Sequence, residues 1–119
     1  MIYTVYPPQS TASINALQTV ASLQTIDATK ISCEVQVTNA PLTAFQILGR
    51  IHPSGTYQLL YSTVTDYTAP KGMLIWCSGD LTTKAIGSGS FVLDATTFES
   101  IQIKAAGIAS GITILFSAR

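Results

Sequence analysis

The residues of this chain that can do chemistry are few and far apart. In 119 residues there are six Lys or Arg, six Asp or Glu, one His and two Cys. Acyl or group transfer needs a nucleophile, a base beside it and a third group orienting the base. His52 is the sole histidine, and it sits in the turn sequence His52-Pro53-Ser54-Gly55. No Gly-x-Ser-x-Gly or Cys–His signature accompanies it, so it reads as a solvated turn histidine. Zinc sites draw Cys and His from short spacings, whereas Cys33, His52 and Cys77 are widely separated. Asp66, Asp80 and Asp94 are each solitary and lie at turns, where Asp commonly bonds its own backbone, so no calcium loop is expected. None of the six acids is set among aromatics as a glycosidase pair would be. Gly87-Ser88-Gly89-Ser90 has Lys84 before it rather than a Lys after it. It reads as a flexible turn and not as a phosphate loop. The expectation is a non-enzyme with no catalytic residue, no metal and no cofactor.

The charges also limit the partners. Lys30, Arg50, Lys71, Lys84, Lys104 and Arg119 are dispersed and matched by acids, giving a net charge of zero. No basic stripe interleaved with aromatics is present, so nucleic acid is not expected. No run approaches the ~20 apolar residues that span a bilayer, so no membrane partner is expected. A neutral surface lets protein faces approach one another without repulsion, which suits an assembly subunit. Residues 1–6 lack a basic start and run into Pro7-Pro8, unlike a signal peptide. Synthesis in a cytoplasm is expected, where Cys33 and Cys77 would be separate buried thiols; a bridge between them stays open, because spacing does not supply a Cα distance.

The aromatics are the remaining candidates. Tyr3 and Tyr6 precede Pro7-Pro8 and are candidate interface residues, since tyrosine buries a large area at low entropy cost. Residues 1–9 are accordingly read as an N-terminal arm or a first strand, and residues 10–119 as one domain. Tyr57, Tyr61, Tyr67 and Trp76 are read as core and rim residues, with a sugar-binding platform as the alternative.

The elements that must position these residues are strands. Ile31, Cys33, Val35 and Val37 alternate with Ser32, Glu34, Gln36 and Thr38, the period of a half-buried strand. Residues 43–51 follow with Phe45, Ile47, Gly49 and Ile51 on one face. The turn at His52 then leads to residues 56–65, giving a hairpin with a four-residue loop. Residues 66–72 read as loop and residues 73–77 as a strand buried on both sides; Ser78-Gly79-Asp80 turns the chain again. Residues 90–94, 98–105 and 111–118 complete the set. Residues 10–27 carry Ile14, Leu17, Val20 and Leu23 at a spacing of three, which a helix would use. Leu-Gln-Thr recurs six residues apart, the same face of a strand, and Thr, Ser and Val favour β structure, so this segment is read as mostly strand. The sum is eight or nine strands: an all-β fold, a single antiparallel β-sandwich, of which the jelly roll is one form.

Several stretches between Leu23 and Ala118 resemble a known type of protein. They are Val37-Thr38-Asn39 leading to Leu42-Thr43-Ala44-Phe45, Asp66-Tyr67-Thr68-Ala69-Pro70, Ser78-Gly79-Asp80-Leu81-Thr82-Thr83, and the closing apolar runs at 101–103 and 112–116. In these the chain resembles the small all-β accessory proteins encoded among the virion structural genes of tailed bacteriophages. The resemblance implies a virion location and a role as a capsid decoration (cement) protein that stabilises contacts between coat subunits. It also implies a major capsid protein or other virion protein as partner, and a homotrimer. It carries over no site residue, because that type of protein has no residue-level motif. The alternative reading is a carbohydrate- or receptor-binding module of a tail or fibre. A sugar site would gather exposed aromatics in one concave patch; an assembly subunit would spread its contacts over flat faces.

Overall fold

The computed structural model describes residues 4–25, 29–62, 74–78, 87–94, 96 and 98–118, with the backbone alone for 62 and 74–78. The described residues form ten strands: β1 Thr4–Val5, β2 Gln9–Ile14, β3 Gln18–Gln24, β4 Lys30–Thr38, β5 Leu42–Arg50, β6 Gln58–Ser62, β7 Leu74–Ser78, β8 Gly87–Asp94, β9 Ser100–Gly107 and β10 Ser110–Ala118. One sheet runs β1-β10-β4-β8-β7, with β2 also on β10, and the other runs β3-β9-β5-β6. Every pairing is antiparallel. The fold is the expected β-sandwich, with more strands than the eight or nine read from the sequence.

Alternation decides which side of each strand faces inward. In β4, Ile31, Cys33, Val35 and Val37 are buried while Ser32, Glu34 and Gln36 are half-exposed. In β10, Ile112, Ile114 and Phe116 are buried against half-exposed Thr113, Leu115 and Ser117. The opposite sheet contributes Phe45, Ile47, Ile101, Ile103 and Ala105, all fully buried. Phe45 of β5 and Phe91 of β8 meet across the sandwich, ring centroids 6.4 Å apart and planes at 67°. That edge-to-face geometry joins the two layers at their centre.

The N-terminal segment lies along β10. Thr4 and Val5 pair with Ala118 and Ser117, Tyr6 N–H donates to Phe116 O at 3.2 Å, and β2 continues along the same edge from Gln9 opposite Ile114. Pro7 and Pro8, which have no N–H to donate, occupy the break between the two strands. Within residues 1–9, Thr4–Val5 is thus a strand of this domain, and Gln9 already belongs to the sandwich.

Four local expectations are corrected. Ile51 does not share the buried face of Phe45 and Ile47: β5 ends at Arg50, and Ile51 lies in the turn at 74% exposure. The hairpin loop spans residues 51–57 rather than four residues, with a register shift between Ile47 and Leu48. Leu17 does not share a face with Leu23. It is in the turn before β3, and a register shift between Thr19 and Ala21 breaks the period, so Val20, Ala21 and Leu23 are the buried members. Gly87-Ser88-Gly89-Ser90 is strand and not a turn. It pairs residue by residue with Val37, Gln36, Val35 and Glu34, because glycine and serine leave the ladder's donors and acceptors free even where they add little packing. The 66–72 loop lies outside the described residues, as does the side-chain burial expected for 73–77.

Candidate functional site

The best-connected polar group of the described residues is at one end of the β3-β9-β5-β6 sheet. Arg50, the last residue of β5, and Ser100, the first of β9, are register partners. Arg50 Nε donates to Glu99 Oε2 at 2.8 Å, and its guanidinium lies 5.0 Å from the centre of the Tyr57 ring. Tyr57 Oη and Ser100 Oγ are 2.7 Å apart. Backbone bonds tie the same residues together: Glu99 N–H to Arg50 O at 2.8 Å and Thr25 N–H to Glu99 O at 2.9 Å. The Thr25 hydroxyl bonds Phe98 O. The hydrogen bond from Arg50 to Glu99 holds the guanidinium pKa above its ordinary value. Each group is spent on a neighbour, so the cluster fastens the end of the sheet and presents no free acid or base. No local pattern signals it, since Arg50 and Glu99 are 49 residues apart and meet only through the β5–β9 register.

The residues singled out from the sequence do not converge. His52 is exposed in its turn, where Nδ1 accepts from Ser54 N–H at 3.0 Å. Asp94 closes β8, its Oδ1 accepting from the Thr96 hydroxyl at 2.7 Å and the Thr96 N–H at 3.0 Å. Those two bonds, with Lys30 nearby, hold its carboxyl below the usual carboxylate range. Among the described residues no three His, Cys, Asp or Glu are grouped to hold a metal. Tyr6 and Tyr61 are half-buried against the core, and Tyr57 is tied to Arg50 and Ser100. Tyr3 and Tyr67 lie outside the described residues. Trp76 is placed only by its backbone, opposite Val92.

Cys33 is a buried free thiol. Desolvation pushes its pKa well up, and the neighbouring Glu34 pushes the same way. Cys33 in β4 and Cys77 in β7 are both register partners of Phe91, on opposite sides of β8. Two strand spacings put their Cα atoms about 10 Å apart, beyond the roughly 7 Å that a disulfide tolerates. The alternative left open by the sequence is thereby closed. Iodoacetamide at pH 8 is expected to leave Cys33 unmodified in the folded protein, and two thiols should titrate after unfolding without reductant. No thiol after unfolding would mean that β7 is wrongly registered.

Two features of the surface remain. Gln9 bridges the two sheets at their open side: its Nε2 donates to Ser22 O at 3.0 Å, and its Oε1 accepts from Ser22 N–H at 3.1 Å. One side-chain amide thus occupies the edge of β3 as a neighbouring strand would. Beside it lies an open groove of about 530 Å³ between Tyr6-Pro7-Pro8-Gln9 and Ser22-Leu23-Gln24. The outer face of the larger sheet is mostly uncharged and holds a second open groove of about 380 Å³. Across β10, β4 and β8 its rows read Thr113-Gln36-Ser88, Leu115-Glu34-Ser90 and Ser117-Ser32-Val92.

Fold and surface together define a β-sandwich module. No protein-family model matches the chain, and no curated protein sequence matches it. Among solved structures, the chain is similar in fold to SPBc2 prophage-derived protein YomS, with a TM-score of 0.59 at 4% identity, covering 98% of this chain and 90% of that one. It is also similar to PBSX exported protein XepA, with a TM-score of 0.62 at 14% identity. That likeness covers 99% of this chain and only 38% of XepA.

Proposed function

We propose that this chain is a non-enzymatic structural protein of a tailed-phage virion, a capsid cement protein that buries neutral surface between coat subunits. The observation that carries the reading is the distribution of charge over the sandwich. Residues 1–26, 35–49 and 105–118 contain no Lys, Arg, Asp or Glu, so β2, β3, β10 and nearly all of β5 are free of charge. Burying a charge at an interface costs several kcal/mol unless it is paired, and these strands have none to bury. The shared fold of a prophage-derived protein supports a phage origin. The described tyrosines support assembly over a sugar platform, because Tyr6 and Tyr61 pack on the core and Tyr57 is engaged by Arg50 and Ser100.

A small neutral subunit of this kind closes into a symmetric oligomer, and a homotrimer seated on the coat is the form proposed. Quantitative mass spectrometry of purified particles should find the protein at a fixed stoichiometry to the major capsid protein. Sedimentation of the free protein should give a trimer. A monomer that is absent from particles would overturn the proposal.

A further inference from the structure

β3 is an edge strand, paired with β9 on one side only. Thr25 N–H, just past its end, donates to Glu99 O on the β9 side. By the alternation of an antiparallel ladder, the backbone groups of Ser22 and Gln24 therefore point away from β9. An edge of this kind invites a further strand, and proteins ordinarily protect it with charged side chains or proline. β3 reads Gln18-Thr19-Val20-Ala21-Ser22-Leu23-Gln24, with no charge and no proline. The N-terminal edge of the larger sheet, by contrast, is interrupted by Pro7 and Pro8 between β1 and β2. Among the described residues, one side chain bonds the open edge of β3. Gln9 Nε2 donates to Ser22 O at 3.0 Å, and Gln9 Oε1 accepts from Ser22 N–H at 3.1 Å. The carboxamide offers the same donor and acceptor as a peptide group, on a flexible stem. Both bonds are exposed to solvent, and the groove of about 530 Å³ opens beside them.

We propose that the β3 edge is a strand-addition surface for a second copy of this chain, and that the Gln9 amide holds it closed. The occupant follows from symmetry. Two β3 strands laid antiparallel about Ser22 would exchange the N–H and C=O that Gln9 now occupies, the same patch meeting itself across a two-fold axis. Like charges placed opposite one another are what ordinarily hinders such a pairing, and residues 1–26 contain no Lys, Arg, Asp or Glu. The side chains brought face to face at the centre are those of Ser22, small and exposed. The groove along Ser22, Leu23 and Gln24 gives an incoming strand room to lie. A whole strand offers more ladder bonds than the two that Gln9 makes. The amide prevails in the single chain because it is tethered beside Ser22, where its effective concentration is high.

The test is sedimentation equilibrium of the purified full chain over a range of concentrations. Gln9→Ala removes the cover, and its mass is expected to rise with concentration to about double that of the unaltered chain, as one two-fold contact requires. Adding Ser22→Lys to Gln9→Ala should restore the unaltered mass, because two lysines would then stand opposite one another. Gln46→Ala is the control: it removes a half-exposed amide from β5 in the same sheet, away from the edge, and should not associate. Circular dichroism and thermal melts establish that each variant is folded. If Gln9→Ala does not fold, Gln9→Met, which keeps the length of the side chain without its amide, is read in its place. A folded Gln9 variant that keeps the unaltered mass at every concentration would overturn the proposal. Association that Ser22→Lys leaves untouched would overturn it too, since the contact would then run through another surface. Equal association of Gln46→Ala would do the same. The measurement needs no capsid, so the virion reading can fail without touching this result.

Discussion

Replacing Phe91 by Ala is expected to destabilise the sandwich by about 3–5 kcal/mol, the cost typical of removing a buried aromatic from a core that relaxes only in part. Phe91 is fully buried in β8, and its ring meets Phe45 edge-to-face from the other sheet. Truncation therefore opens a cavity between the layers, where neither sheet can close it without moving its whole ladder. The Phe45 ring also loses its partner, a contact worth about 0.5–1.5 kcal/mol beyond area alone. A domain of this size commonly has about 5–15 kcal/mol in total, so the variant should unfold at much lower denaturant. Urea titration followed by circular dichroism measures this. Phe91→Leu, which refills most of the volume, should recover more than half of the loss. A Phe91→Ala variant within 1 kcal/mol of the unaltered chain would mean that the two sheets do not pack through this pair.

The strands were legible because alternation is a strong local signal where one face is buried. The β4 pattern predicts burial residue by residue, and it holds. What sequence periodicity missed were register shifts and strand ends. A bulge after Thr19 places Val20 and Ala21 both inward, which no fixed period describes. Ile51 continues the apolar series of β5 in sequence, but the strand stops one residue earlier. Gly87-Ser88-Gly89-Ser90 has the composition of a loop yet is strand, because β4 offers it a complete ladder. The polar cluster of Arg50, Tyr57, Glu99 and Ser100 was illegible for a related reason. Its members come from the ends of β5 and β9 and the loop before β6, and only the register between distant strands brings them together. Leu17 belongs to an apolar series in sequence, and its exposure follows from falling at a turn.

Gly107→Ala is expected to cost about 2–4 kcal/mol, from overpacking together with the loss of two part-buried hydrogen bonds. Gly107 ends β9 opposite Leu42 and is buried. A Cβ built on it would lie 2.6 Å from Ser110 Cβ and press on Ser110 Oγ, with Ile14 O at 3.4 Å behind. Ser110 has nowhere to go. It is fully buried, and its hydroxyl donates to Pro41 O while accepting from Ile108 N–H. Making room for a methyl group means rotating that hydroxyl away, which leaves Pro41 O and Ile108 N–H without their part-buried partner and loosens the β4–β5 and β9–β10 turns together. The mechanism makes a specific demand on a second substitution. Ser110→Gly removes both atoms that the new methyl would strike, so it should cost stability in the parent chain but rescue part of the loss in Gly107→Ala. Denaturation of the four proteins completes the cycle, and the two changes should be non-additive by at least 1 kcal/mol. Strict additivity would show that the residue pair does not share one space. In that case the end of the sandwich that holds Ile108 would be looser than its hydrogen bonds imply.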